Sequence, residues 1–165
     1  MRILVVSDSH GRNEDVKQVV NQVGDIDMFI HLGDIERGLK QIQDLVHCET
    51  HMIIGNNDFC IDLPATDTFR IADKKVFITH GHRFYVGYSV DNLRAYAVEN
   101  GYDIVMFGHT HTPYLEIGDK VTILNPGSIS YPRQDPRRKT FMIIEVDREG
   151  AFHYTTGELK TKRFF

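Results

Sequence analysis

Carboxylates and imidazoles recur in this chain in close pairs, as Asp8-x-His10, His80-x-His82 and His109-x-His111, with Asp34 alone after Gly33. A hard carboxylate oxygen beside an imidazole nitrogen suits a borderline divalent ion such as manganese, iron, zinc or nickel. In extended backbone, residues two apart point the same way, so His109 and His111 are expected to aim at one place. Gly55-Asn56-Asn57-Asp58 adds two amides and a further carboxylate. Taken singly, each cluster has a plainer explanation. A His-x-His can lie on a surface loop, Asp8 can cap the helix that follows, and Asn and Asp favour turns.

The elements around the clusters argue for a common purpose. Residues 1–6 read as a buried strand ending at Ser7-Asp8-Ser9-His10-Gly11, and the apolar face of Val16, Val19, Val20 and Val23 predicts a helix over 13–22, stopped by Gly24. A strand at 28–30 leads to His31-Leu32-Gly33-Asp34, and Leu39, Ile42, Leu45 and Val46 mark a second helix. A third strand at 51–54 runs into Gly55-Asn56-Asn57-Asp58. A hairpin pairs 69–71 with 76–79 and ends in His80-Gly81-His82, and a helix over 89–100 precedes the apolar run that stops at Gly108. Strand–helix alternation favours a parallel α/β sheet with its site at the carboxyl ends of the strands. Strands at 114–117, 121–124, 141–146 and 151–155 make the end of the chain β-rich, which fits two stacked sheets with helices outside better than one doubly wound sheet.

At 165 residues, with 41% hydrophobic and 25% charged residues, the chain suits one soluble domain, 1–165. The net charge of −4 offers no broad basic surface for duplex nucleic acid. Ile3 to Val6 is too short for a signal peptide or a membrane span, so the expected compartment is the cytoplasm. Cys48 and Cys60 lack metal or redox spacing and read as reduced thiols. A homo-oligomer stays open, as does the use of Phe164-Phe165 to cover the protein's own core or a partner's surface.

The ordered set Asp8-x-His10, Gly33-Asp34, Gly55-Asn56-Asn57-Asp58, His80 and Gly108-His109-Thr110-His111 resembles the calcineurin-like metallophosphoesterase family. The resemblance covers residues 1 to about 133 and is strongest to the small bacterial and archaeal phosphodiesterases, through chain length, Thr79-His80-Gly81-His82 and Asn125-Pro126-Gly127-Ser128. It implies an α/β fold, a four-layer α-β-β-α sandwich of two mixed sheets flanked by helices. It also implies two divalent transition-metal ions, manganese first, with iron, zinc, nickel or cobalt as alternatives. One ion would take Asp8, His10 and His111, the other Asn56, His80 and His109, with Asp34 bridging both. The implied reaction is hydrolysis of a small phosphate diester by a metal-bridging hydroxide attacking in line with the leaving oxygen.

Many family members carry histidine where this chain has Asn57, and an amide cannot supply a proton at neutral pH. Asn57 and Asp58 are the catalytic candidates on that side. Arg133 and His82 are the candidates for holding substrate phosphate, a guanidinium being a fork that matches phosphate oxygens. His31 reads as packed or as supporting a ligand. Phosphomonoesterase activity is the near alternative. The distant one is a non-catalytic metal-binding scaffold resembling the retromer subunit of this fold.

Overall fold

The computed structural model describes residues 1–160, so Phe164 and Phe165 lie outside the described residues. The strands are β1 (Arg2–Val6), β2 (Met28–His31), β3 (Glu49–Met52), β4 (Thr66–Ile71), β5 (Lys74–Thr79), β6 (Ile104–Met106), β7 (Pro113–Ile117), β8 (Thr122–Pro126), β9 (Thr140–Val146) and β10 (Phe152–Glu158). The helices are α1 (Asn13–Val23), α2 (Leu39–Gln43) and α3 (Asp91–Glu99). They build two five-stranded sheets, ordered β10-β9-β1-β2-β3 and β4-β5-β6-β8-β7. Each has a parallel run, β1-β2-β3 in one and β5-β6-β8 in the other; antiparallel β9 and β10 extend the first on one side, and antiparallel β4 and β7 flank the second on both.

The period-two alternation of strand side chains explains the layers. Along β1, Ile3 and Val5 join Ile78, Met106 and Leu124 in a core between the sheets. Leu4 and Val6 face the other way, where Val16 and Val19 of α1 and Ile42 of α2 cover them. On the second sheet, Phe77, Val105 and Ile123 turn outward to Leu93 and Ala97 of α3. The result is the expected α-β-β-α sandwich, in which the strands buried on both faces are mainly apolar, with polar exceptions at His31 of β2 and at Thr122 and Asn125 of β8. Full burial of each apolar side chain contributes roughly 1.5–3 kcal/mol.

Local boundaries differ from expectation for identifiable reasons. Helix α1 ends where the Gly24 N–H bonds Val20 O. Helix α2 stops at Gln43, and Leu45 and Val46 pack on the same core from the turn beyond it. Helix α3 begins two residues late because Ser89 Oγ accepts from the Asp91 N–H, 3.1 Å away. No helix among the described residues is long and apolar enough to cross a membrane.

Candidate metal centre

Parallel pairing places the polar clusters side by side. The β1–β2 ladder continues past its strands, with Asp8 N–H on Gly33 O, His10 N–H on Asp34 O and Gly11 N–H on Ile35 O at 2.8–3.0 Å. In the second sheet the Gly108 N–H bonds His80 O at 3.1 Å. The two strand-end sets meet at Gly108, where an added Cβ would lie 3.0 Å from Asp8 Oδ2 and closer still to Ser7 Oγ. Glycine is required there for close approach.

Donor atoms from Asp8, His10, Asp34 and His111 lie within 4.8 Å of one another. Their orientation is controlled from behind. His10 Nδ1 bonds Glu36 Oε1 at 2.6 Å, and His111 Nδ1 bonds Tyr131 O at 2.7 Å. The carbonyl can only accept, which fixes a proton on His111 Nδ1, and the carboxylate favours the same on His10. Both Nε2 lone pairs then face each other at 3.1 Å, an arrangement that requires a proton or a cation between them. His80 repeats the pattern, donating from Nδ1 to Leu32 O at 2.7 Å. Its buried Nε2 has no hydrogen-bond partner among the described residues, and Asp8 Oδ1 faces His111 Nε2 at 3.1 Å. Asp8 Oδ2 is held by the His109 N–H at 3.1 Å, which leaves Oδ1 directed at the cluster. Asp34 Oδ2 stands 3.7 Å from His10 Nε2 and 3.5 Å from His80 Nε2.

The electrostatics agree with a site built for positive charge. Burial alone would raise Asp8, but bonding and charge from His111 and His80 outweigh it and hold the carboxyl below its ordinary value. Asp34 is held low in the same way, burial being overcome by His80 and Asn57. His80 is raised against its burial by Asp34 and Asp8. His109 and His82 are lowered, chiefly by burial and then by the nearby His80. Lone pairs of a buried carboxylate and of imidazoles that face one another, with the imidazole protons of His80 and His111 already committed on Nδ1, fit divalent metal ions.

The histidine pair does not aim at one place. Strand β6 ends at Met106, and His109 and His111 adopt φ of 70° and 58° instead of extended backbone. His111 packs against the His10 ring at 5.0 Å, whereas His109 packs against His80 at 5.2 Å. Asp8, His10, Asp34 and Glu36 are also left-handed, with φ of 45–64°. Among the described residues, six of the nine non-glycine residues with positive φ therefore sit at this centre or directly behind it. Such concentration of strained backbone is a mark of functional sites.

A calcineurin-like phosphoesterase superfamily domain matches residues 1–149. The chain belongs to this superfamily. Phosphodiesterase MJ0936 of Methanocaldococcus jannaschii is 29% identical over 146 residues, 77% of this chain and 83% of the relative. A predicted phosphoesterase of Streptococcus pneumoniae superposes with a TM-score of 0.77 at 29% identity, covering 95% of this chain and 97% of that one. Wild-type Vps29 of Entamoeba histolytica, solved with Zn2+, shares the fold at 21% identity and a TM-score of 0.73, covering 97% of this chain and 100% of that one.

In this phosphoesterase domain the third cluster is arranged differently from its neighbours. Asn56 is exposed. Asn57 directs its backbone N–H to Asp34 Oδ1 at 2.9 Å and its amide to Asp34 Oδ2 at 2.6 Å. Both oxygens of buried Asp58 are taken by backbone, from the Glu36 and Gly55 N–H groups at 2.5 and 2.7 Å. His82 Nδ1 is buried without a partner among the described residues, its ring 5.6 Å from His80. Arg133 is tied by its N–H to His111 O at 3.1 Å and shares a cavity wall with His10 and His111.

His31 lies behind the site, fully buried, accepting the Gly33 N–H on Nδ1 and pairing Nε2 with Ser9 Oγ at 2.9 Å. Sequence reasoning missed Glu36, although Asp34-x-Glu36 repeats the spacing of Asp8-x-His10. It also missed what Asn125-Pro126-Gly127-Ser128 does. Asn125 Nδ2 bonds Gly108 O and Thr110 Oγ1, and Ser128 Oγ bonds Asp8 O. Nothing in sequence could mark the Tyr131 carbonyl, a group every residue carries.

Proposed function

We propose that the whole chain, 1–165, is one phosphoesterase domain that hydrolyses a small phosphate diester with two divalent metal ions. The observation that carries this reading is the convergence of Asp8, His10, Asp34 and His111, with the His10 and His111 Nε2 atoms face to face at 3.1 Å and the neighbouring His80 Nε2 buried without a partner among the described residues. Asp8, His10 and His111 would hold one ion, and His80, His109 and Asn56 the other, with Asp34 between. Manganese is the first candidate. Bound there, such ions supply an activated water and neutralise charge on phosphoryl oxygens.

The chain's own residues supply orientation. Glu36 and the Tyr131 carbonyl set the imidazole tautomers of His10 and His111, and Leu32 O sets that of His80. Asn57 holds the Asp34 carboxylate, and Asp58 binds the Asp34–Glu36 loop to the Gly55 loop. Both thus act as positioning residues. Arg133 and His82 would meet substrate phosphate, a reading supported for Arg133 by its place in the cavity wall with His10 and His111. Since the Asn57 amide cannot protonate a leaving alkoxide, aryl esters should be hydrolysed faster than alkyl esters.

The fold shared with Vps29 favours a scaffold as the second reading, because metal occupancy by itself fits both. Turnover separates them. Metal-reconstituted protein would be screened against aryl and nucleotide mono- and diesters, with a chelated control. Metal-dependent diester hydrolysis is expected. Bound metal with no turnover of any ester would overturn the enzyme reading, and a preference for monoesters would overturn the diester assignment.

A further inference from the structure

A cavity of about 990 Å3 opens beside the candidate metal centre, and Arg37, Arg133 and Arg137 line it together with His10 and His111. The chain as a whole carries a net charge of −4, so this local charge runs against the average. Other charges in the wall are already matched. Lys139 pairs with Asp15 at 2.7 Å, and Glu36 is held by His10. Arg2, Arg94 and Arg138 each meet a carboxylate, whereas none of the three cavity arginines forms an ion pair among the described residues.

Two of the three are fixed to the loops that present the metal donors. The Arg37 side chain crosses the bare face of Gly11, where an added Cβ would come within 2.9 Å of its Cγ. Arg37 also follows Glu36, the partner of His10. Arg133 is joined at its backbone, the main-chain N–H donating to His111 O. A guanidinium can grip a phosphate through two parallel N–H bonds, so three of them offer more anion-binding capacity than one reacting diester, with a single negative charge, can use. The cavity also lies at the upper end of the volumes that hold whole small molecules.

We infer that Arg37, Arg133 and Arg137 form a subsite for a further phosphate group of the substrate, beside the phosphate held at His10 and His111. The inference rests on the phosphoesterase reading for the position of the reacting phosphate. Its substrate class is a molecule with at least two phosphates. That chemistry has two sources, a phosphoanhydride chain as in a nucleoside polyphosphate, or a diester with a separate terminal phosphomonoester.

Calorimetry on the metal-loaded protein with orthophosphate and pyrophosphate tests the subsite directly, with metal content measured after each titration. Pyrophosphate is expected to bind at least about tenfold more tightly than orthophosphate. The double variant Arg37→Gln, Arg137→Gln should reduce that ratio to about twofold or less, and Arg148→Gln, in the β9–β10 turn, should leave it in place. A wild-type ratio near one would overturn the subsite. So would an equal loss of both affinities in the double variant, since the arginines would then only raise the local potential. The source is read from kcat/KM for ATP and for a thymidine dinucleotide with and without a 5′-phosphate. Preference for ATP identifies the anhydride chain, and preference for the phosphorylated dinucleotide identifies the terminal phosphate. Turnover of the unphosphorylated dinucleotide with no preference for either would overturn the substrate class. No turnover of any ester, with the pyrophosphate ratio intact, would instead sink the enzyme reading and leave the anion subsite standing.

Discussion

The two halves of the candidate centre are built to different standards. Around Asp8, His10 and His111, both imidazoles have their outer nitrogens engaged by oxygen acceptors, and donor atoms converge with Asp34 within 4.8 Å. Around His80 and His109 only His80 is secured in that way, through Leu32 O. His109 is half-buried, and Asn56 is exposed. Ligands held before the ion arrives lose less freedom on binding it. The first half should therefore hold its ion tightly, and the second should complete itself when the ion binds.

The largest effect should come from the residues that serve both halves. Asp34→Asn should lower turnover to the buffer background and release metal from both positions, as elemental analysis after gel filtration would show. Retention of wild-type metal and turnover would remove Asp34 from its place between the halves.

The asymmetry itself is tested by titrating manganese into chelator-stripped protein. Two equivalents are expected, the first tighter by about tenfold or more. His109→Ala should abolish only the weaker one, whereas His111→Ala should lose the tighter. Equal affinities in the native protein would end the comparison.

A smaller effect isolates the support behind His10. Glu36→Ala should cost ~10–100-fold in metal affinity or turnover, and Glu36→Gln, which keeps an acceptor for Nδ1–H, should recover part of it. If both variants behaved alike, the bond to His10 would not set its orientation. Asn57→Ala applies the same logic to Asp34, with metal affinity expected to fall. Unchanged affinity with a shift only in the aryl-to-alkyl rate ratio would place Asn57 at the leaving group instead.

The smallest effect on turnover concerns His31, whose pKa burial pushes down to about 4. The folded chain keeps this imidazole neutral, while the unfolded chain takes up a proton below about 6.5. Its contribution to stability is therefore complete above pH 6.5 and is lost as pH falls from there towards 4, amounting to roughly 3 kcal/mol. Urea unfolding of metal-stripped protein at pH 7 and pH 4 should show a smaller decline for His31→Gln than for the native chain. Equal declines would show that His31 titrates normally.

Order along the chain made much of this protein legible. Apolar runs ending in Asp8-x-His10, Gly33-Asp34, His80 and Gly108-His109-Thr110-His111 revealed strand ends carrying donors, because strand periodicity and donor chemistry are local properties. The β-rich end of the chain pointed to two sheets for the same reason. Direction was not local. His109 and His111 diverge because the chain leaves β6 in the left-handed region, a choice imposed by the loop's packing against Asp8 and His80. Which of two adjacent asparagines faces Asp34 depended on how the loop after β3 lies beside the loop after β2. The guard on each imidazole tautomer, Glu36, Tyr131 O or Leu32 O, comes from a separate strand end or loop. Residue types along the chain could therefore name the donors, but only long-range contacts could decide where their lone pairs point.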